Sequence, residues 1–157
     1  DSKKYKDADK LVDKLIELDP ESVNNLNMKS DIAARSGKFK ESQRFAQKAL
    51  KLVGDDEDYA ISWTNLAMAQ FAQGNLKAAG KSVHESLELD DTDAFPWMLL
   101  TMISKALEKE DMMAYAWYAG VSRLDKESLV DVLEILLKQL PLKERKVIEK
   151  KIRENSF

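Results

Sequence analysis

The chain has 157 residues, 34% of them charged, with a formal net charge of −3 and no cysteine. This length suffices for one domain with a sizeable core, and the interspersed charges favour soluble helices over disorder. The absence of cysteine excludes disulfides, thiolate nucleophiles and cysteine metal ligands, and the small negative charge provides no field that would draw the chain to nucleic acid.

The first predicted element is a helix over residues 4–18, which ends at Asp19-Pro20 because proline disfavours the helical conformation of the residue before it. Its apolar face contains Tyr5, Ala8, Val12 and Leu15. The sequence offers no earlier helix to cover this face. We therefore expect a longer native protein with a helix ahead of Asp1, and we expect this N-terminal face to self-associate where that helix is missing.

Two helices over residues 22–36 and 39–53 form the next predicted pair, with Gly37-Lys38 as their turn. An acidic loop over residues 54–58 follows. Because it lacks the alternating ligand spacing of a calcium loop, we interpret it as a solvated loop whose acids favour the next helix N-terminus.

The strongest helical pattern covers residues 63–72 and 76–89, which are separated by the turn Gly74-Asn75. Two small residues, Ala67 and Ala79, are expected where these helices cross closely.

A third pair is predicted from about residue 95 to 108 and from about 112 to 124, with a turn that lacks glycine. The spacing leaves its register ambiguous by one residue, between Trp97 and Met98. Residues 127–157 predict two more helices, interrupted by Pro141.

The central pair resembles a tetratricopeptide repeat, whose skeleton is Trp-x-x-Leu-Gly-x-x-Tyr, Ala-x-x-x-Phe and Pro. The residues at those positions are Trp63, Leu66, Ala67, Gln70, Ala79, Val83 and Asp91, of which Ala67, Gln70, Val83 and Asp91 depart from the family's residue. The spacing agrees with the family, since Ala8 to Ser42 and Trp63 to Trp97 are each 34 residues apart. We expect Trp63 and Leu66 to be buried. Lys29 stands where the family has an apolar residue.

The resemblance implies an all-α fold, an α-solenoid of antiparallel helix pairs that forms a superhelix. The array would cover residues 1–126, with a partial repeat over 1–20 and repeats over about 21–55, 56–91 and 92–126. The two helices over 127–157 would cap its C-terminal end, because a solenoid needs a polar outer face there.

The resemblance also implies a function, namely a protein-interaction scaffold without catalysis that binds a partner peptide in its concave groove. Helical phase predicts the groove residues Asn27, Asp31, Asn65, Met68, Phe71, Phe95, Met98 and Met102. Methionine suits a surface that adapts to an apolar peptide. The amides and Asp31 would make polar contacts to one end of the peptide.

One subgroup of the family grips the C-terminal carboxylate of chaperone tails with a clamp of Lys, Asn and Arg. Only Asn65 matches that clamp here, since Asn27 and Asp31 replace its first Lys and Asn, and Phe95 and Leu99 replace its last Lys and Arg. A carboxylate would face Asp31 without a paired cation, so we do not expect this binding mode.

The sequence contains no recognisable catalytic constellation. Its one histidine, His84, lies on a predicted helix without an assignable Asp or Ser partner, and no glycine-rich phosphate loop is present. We therefore predict no enzyme activity, no metal, no cofactor, and neither nucleic acid nor membrane as a partner, with a cytoplasmic location. The alternative is a regulatory or sensor domain of a larger catalytic or signalling protein, which would have the same helical pattern.

Overall fold

The computed structural model describes residues 2–52, 56–125 and 128. Those residues form seven helices: α1 (Ser2–Leu18), α2 (Val23–Arg35), α3 (Phe39–Ala49), α4 (Asp56–Ala72), α5 (Leu76–Leu89), α6 (Ala94–Ala106) and α7 (Glu110–Val121). The predicted all-α class is confirmed. The largest differences from the predicted bounds are that α4 begins at Asp56, ahead of Trp63, and that α3 ends at Ala49.

The chain divides into two compact units, Asp1–Ser122 and Arg123–Phe157. The first contains all seven helices. The predicted capping helices over 127–157 lie, apart from Ser128, outside the described residues. In the second unit, Asp125 accepts hydrogen bonds from the backbone N–H and the hydroxyl of Ser128.

Helix packing follows the order of the chain. Each helix packs on the next, and in addition α2 contacts α4, and α4 contacts α6. The first helices of successive pairs therefore lie side by side, as in a solenoid, and together they form one continuous surface.

The three turns within the pairs share one backbone geometry. Gly37, Gly74 and Glu108 have positive φ angles of 75°, 78° and 57°. In each turn this residue donates its N–H to the carbonyl three positions earlier, and the following residue donates to the carbonyl five positions earlier. Glycine adopts this left-handed conformation without steric cost, whereas Glu108 does not.

The turn geometry resolves the register of the third pair. Glu108 follows Gly74 by the same 34 residues that separate Trp97 from Trp63. Trp97 is buried, and its Nε1 donates a hydrogen bond of 2.9 Å to the Asp91 carbonyl. Trp97, not Met98, is therefore the aromatic residue of this repeat.

Small residues occupy the most deeply buried positions of the central helix pair. Ala67 and Ala79 are fully buried, as predicted, and so is Leu66 to within a few per cent. Trp63 is half-buried, so the prediction that it is buried is met only in part. The buried side of α4 also contains Ser62 and Ala69, both fully buried.

Lys29 is buried, with only 4% of its surface exposed, at a position where the repeat pattern has an apolar residue. Its Nζ lies 2.7 Å from Asp9 Oδ1 and 2.5 Å from Asp13 Oδ1, both on α1. The hydrogen bond with Lys29 lowers the pKa of Asp9 despite burial, which acts to raise it. Burial disfavours the charge of Lys29, but its bonds to Asp13 and Asp9 outweigh this and raise its pKa. An ion triad thus joins α1 to α2.

We expect the triad to respond asymmetrically to substitution. The double change Asp9→Asn and Asp13→Asn should lower the free energy of unfolding by roughly 3 kcal/mol, because it leaves the buried ammonium without counterions. Lys29→Met should cost less than about 1 kcal/mol, since both carboxylates remain partly solvated. Urea denaturation at neutral pH measures both. An equal loss in the two variants would contradict this account.

The same triad should add pH dependence to stability. Because the pKa of Asp9 lies below its ordinary value of 3.8 in the folded state, its contribution is complete above that pH. It should be lost as the pH falls further, through the folded-state pKa. Comparing unfolding of the wild type and Asp9→Asn at pH values on either side of 3.8 tests this, and a constant difference between them would exclude it.

The shared turn geometry predicts opposite effects at two turns. Glu108→Gly should raise stability by roughly 0.5–1 kcal/mol because it removes a strained left-handed residue. Gly74→Ala should lower it by about 1 kcal/mol. A Cβ at Gly74 would meet nothing within 4 Å, so that cost comes from the backbone alone. Changes of the same sign in thermal or urea unfolding would show that the turns are not equivalent.

Candidate functional site

The inner surface of the solenoid contains a groove of about 500 Å³. The residues that line it lie on α2, α4, α5, α6 and the α5–α6 connection, and they are Asn24, Asn27, Met28, Asp31, Arg35, Ala60, Ile61, Thr64, Asn65, Met68, Ser86, Asp90, Asp93, Phe95 and Pro96. These residues come from three successive helix pairs. Only the side-by-side packing of α2, α4 and α6 brings them together.

The buried polar residues that line the groove, Asn27, Thr64, Asn65 and Ser86, form its floor. The two amide side chains among them join α2 to α4. Asn27 is 3% exposed, and its Nδ2 donates to the Asp58 carbonyl at 2.9 Å. Its Oδ1 accepts from the Ser62 hydroxyl at 2.7 Å. Asn65 Nδ2 donates to the Asn27 carbonyl at 3.2 Å. Both polar atoms of the Asn27 amide are therefore occupied by hydrogen bonds between α2 and α4.

Hydroxyl groups fix the other side of the floor. The Thr64 and Ser86 oxygens lie 2.6 Å apart, and the Ser86 hydroxyl donates to the Ala60 carbonyl at 2.8 Å. Among the described residues, no buried side-chain nitrogen or oxygen lacks a hydrogen-bond partner. The floor is thus fully bonded before any ligand arrives, which favours a rigid site.

Apolar side chains stand above this floor. Met28 on α2 is 41% exposed, Ile61 on α4 is 44% exposed and Phe95 on α6 is 48% exposed. Met68 is half-buried beside them. One exposed apolar residue from each of the three helix pairs thus faces the same groove.

The charged residues of the groove fall into two groups. Arg35 Nε lies 2.9 Å and 2.7 Å from the two carboxylate oxygens of Asp31, and this hydrogen bonding raises the pKa of Arg35. Asp90 accepts from the Thr92 hydroxyl at 2.7 Å and from its N–H at 2.9 Å, and these bonds lower the pKa of Asp90. Asp93 accepts from the Phe95 N–H at 3.0 Å and caps α6.

Five of the eight residues that sequence phase assigned to the groove line it, namely Asn27, Asp31, Asn65, Met68 and Phe95. The structure places the other three elsewhere. Phe71 packs, partly buried, against the core cluster. Met98 packs towards α7, since its Sδ would lie 3.1 Å from a Cβ at Gly120. Met102 is 53% exposed but outside the groove lining.

Sequence reasoning missed four informative groove residues. Ile61 precedes Phe95 by 34 residues, so the repeat spacing could have identified it. Met28 lies one position after Asn27, and a broader helical face would have included it. Asp90 and Asp93 lie outside the helices, between α5 and α6, where helical phase makes no prediction.

Few other features of the described part of the chain suggest chemistry. His84 is exposed. Within the described residues, no group of three or more His, Cys, Asp or Glu could hold a metal ion. None of the described helices is long and apolar enough to span a bilayer.

Two crystal structures of MamA, a tetratricopeptide-repeat protein, are similar to this chain. One is 18% identical with a TM-score of 0.65, and the match covers 76% of this chain and 68% of MamA. The other is 16% identical with a TM-score of 0.67 and covers 99% and 88%. At these identities the similarity shows the fold alone: like MamA, the described part of the chain is an α-solenoid of helix pairs. No family model matches the sequence, and no curated protein does.

The hydrogen bonds of Asn27 predict a structural effect that its neighbour lacks. Asn27→Ala should lower stability by roughly 2–3 kcal/mol, because it leaves the Ser62 hydroxyl and the Asp58 carbonyl with fewer partners. Asn24→Ala should change stability by less than about 0.5 kcal/mol, since Asn24 is exposed on the same helix. Equal urea midpoints for the two variants would contradict the structural role of Asn27.

Proposed function

We propose that this tetratricopeptide-type solenoid is a non-catalytic protein-interaction scaffold and that its groove binds a segment of a partner protein. The observation that carries the proposal is the convergence of Met28, Ile61 and Phe95 on one surface, although each is more than 40% exposed. Apolar side chains that gather in a concave surface while remaining exposed are typical of interaction sites.

The floor beneath these residues supports the proposal. The hydrogen bonds of Asn27 with Ser62 and of Thr64 with Ser86 hold α4 against its neighbours without an occupant. A site formed in advance loses little conformational entropy when it binds. The exposed apolar residues then supply area that an incoming peptide can remove from water.

The groove dimensions favour a peptide segment over a folded partner. About 500 Å³ accommodates a few side chains, and the apolar residues lie on three successive helices. A segment that crosses the three helices in extended or helical form could place an apolar anchor near each of them.

Substitutions inside and outside the groove test the proposal. Ile61→Asp and Phe95→Asp should each weaken capture of a partner by at least about tenfold, because a carboxylate would replace an apolar contact. The matched control is Met102→Asp, which makes the same kind of change at a 53% exposed residue on α6, outside the groove. Capture is measured by affinity purification from native extract with quantitative mass spectrometry.

All three variants should keep the helicity and melting temperature of the wild type, since the substituted side chains are exposed. Partners lost with Ile61→Asp and Phe95→Asp but retained with Met102→Asp would support the groove. Loss with Met102→Asp alone would move the interaction surface to the part of α6 beyond the groove.

A further inference from the structure

We infer that the partner segment in this groove is cationic and amphipathic, with apolar anchors on Met28, Ile61 and Phe95 and lysine or arginine side chains facing Asp90 and Asp93. This inference rests on the function proposed above and names the chemistry of its ligand.

The charges of the groove are unbalanced. The groove lining contains three carboxylates, from Asp31, Asp90 and Asp93, but one guanidinium, from Arg35. Arg35 pairs with Asp31 through both carboxylate oxygens, so these two charges compensate each other. The excess of two negative charges therefore lies at the α5–α6 connection.

Neither carboxylate at that end has a cationic partner in the part of the chain that the structure describes. Asp90 accepts only neutral donors from Thr92, which stabilise its ionised form and lower its pKa. Asp93 uses one oxygen to cap α6. A carboxylate holds several acceptor sites, so both residues keep capacity for an incoming donor.

The two neighbouring helix termini have opposite effects on the electrostatic potential at Asp90 and Asp93. Asp90 is the C-cap of α5, where the free carbonyls of a helix terminus add negative potential and attract cations. Asp93 caps the N-terminus of α6, and the positive end of that helix offsets part of its charge. The position of Asp90 is therefore the stronger of the two for a cation.

The apolar and acidic features are adjacent. Phe95 is 48% exposed, follows Asp93 by two positions in the sequence and lines the same groove. A ligand that buries an apolar side chain against Phe95 would thus bring its neighbouring side chains to the two carboxylates. Acidic neighbours would be repelled there and basic ones attracted, so the groove selects charge as well as apolarity.

Selection of peptides from a random library tests the ligand chemistry. A phage-displayed library of about 12-residue peptides is selected in parallel on the wild-type chain, on Ile61→Asp and on the double variant Asp90→Asn, Asp93→Asn. Asparagine keeps the acceptor oxygen for Thr92 and remains a good N-cap, so the double variant should stay folded. The matched control is Glu85→Gln, Glu88→Gln, which removes two negative charges from exposed positions of α5 outside the groove.

Peptides that depend on Ile61 should carry an excess of lysine and arginine over the starting library. In fluorescence anisotropy they should bind the Asp90, Asp93 variant roughly tenfold more weakly, as expected from two exposed ion pairs, and the Glu85, Glu88 variant as tightly as the wild type. Raising the salt concentration from about 50 to about 500 mM should remove most of that difference.

Three results would overturn the inference. Ile61-dependent peptides without a basic excess would refute the charge assignment and leave the groove as a peptide site. Absence of any Ile61-dependent peptide would refute the groove itself. A peptide with the sequence of residues 142–154 contains six Lys and Arg residues of this chain. If it bound more tightly than the selected peptides, and in an Ile61-dependent way, the occupant would be a second copy of this chain and not a partner protein.

Discussion

The packing of small side chains between neighbouring helices is the constraint on which the rest of this structure depends. Most of the fully buried side chains among the described residues are alanine or serine, and Ser30 donates to the Ser42 carbonyl at 2.9 Å with the two hydroxyls 3.1 Å apart. A buried hydroxyl without a partner would be costly, so each serine must meet a neighbouring polar group when the helices close. Small size and hydrogen bonding therefore fix the spacing together. Three larger apolar side chains, Met28, Ile61 and Phe95, stay more than 40% exposed and line the groove.

Much of this architecture was predictable because it repeats. The helices, their turns and the burial of Ala67 and Ala79 follow from apolar spacing and from the 34-residue period. The incomplete burial of Trp63 was not predictable, because the family pattern states which residue occupies a position but not how much of its surface the neighbouring helices cover. The same limit applies to Lys29, whose partners are 16 and 20 residues away on α1. Ion pairs between residues so far apart in the sequence produce no periodic pattern from which they could be predicted.

The candidate site was predictable only in part, for a related reason. Helical phase states which way a side chain points, so it found Asp31, Met68 and Phe95. It cannot state whether a polar side chain in that direction remains available, and Asn27 proves to be bonded between helices. It is also silent about connections, which is why Asp90 and Asp93 were missed. In the proposed binding mode, recognition therefore depends on the apolar residues and the loop carboxylates, while the amides bond α2 to α4.

The two sides of the groove are held to α4 to different extents. Its contact with α2 is extensive and is reinforced by the bonds of Asn27 to Asp58 and Ser62, whereas its contact with α6 is slight. Helix α6, which forms the other side of the groove, is held mainly by its contacts with α5 and α7. A displacement of Phe95 is therefore opposed less directly than a displacement of Met28 or Ile61. In the proposed binding mode, the α2–α4 half would therefore position the occupant, and the α6 half would shift to admit a thicker one.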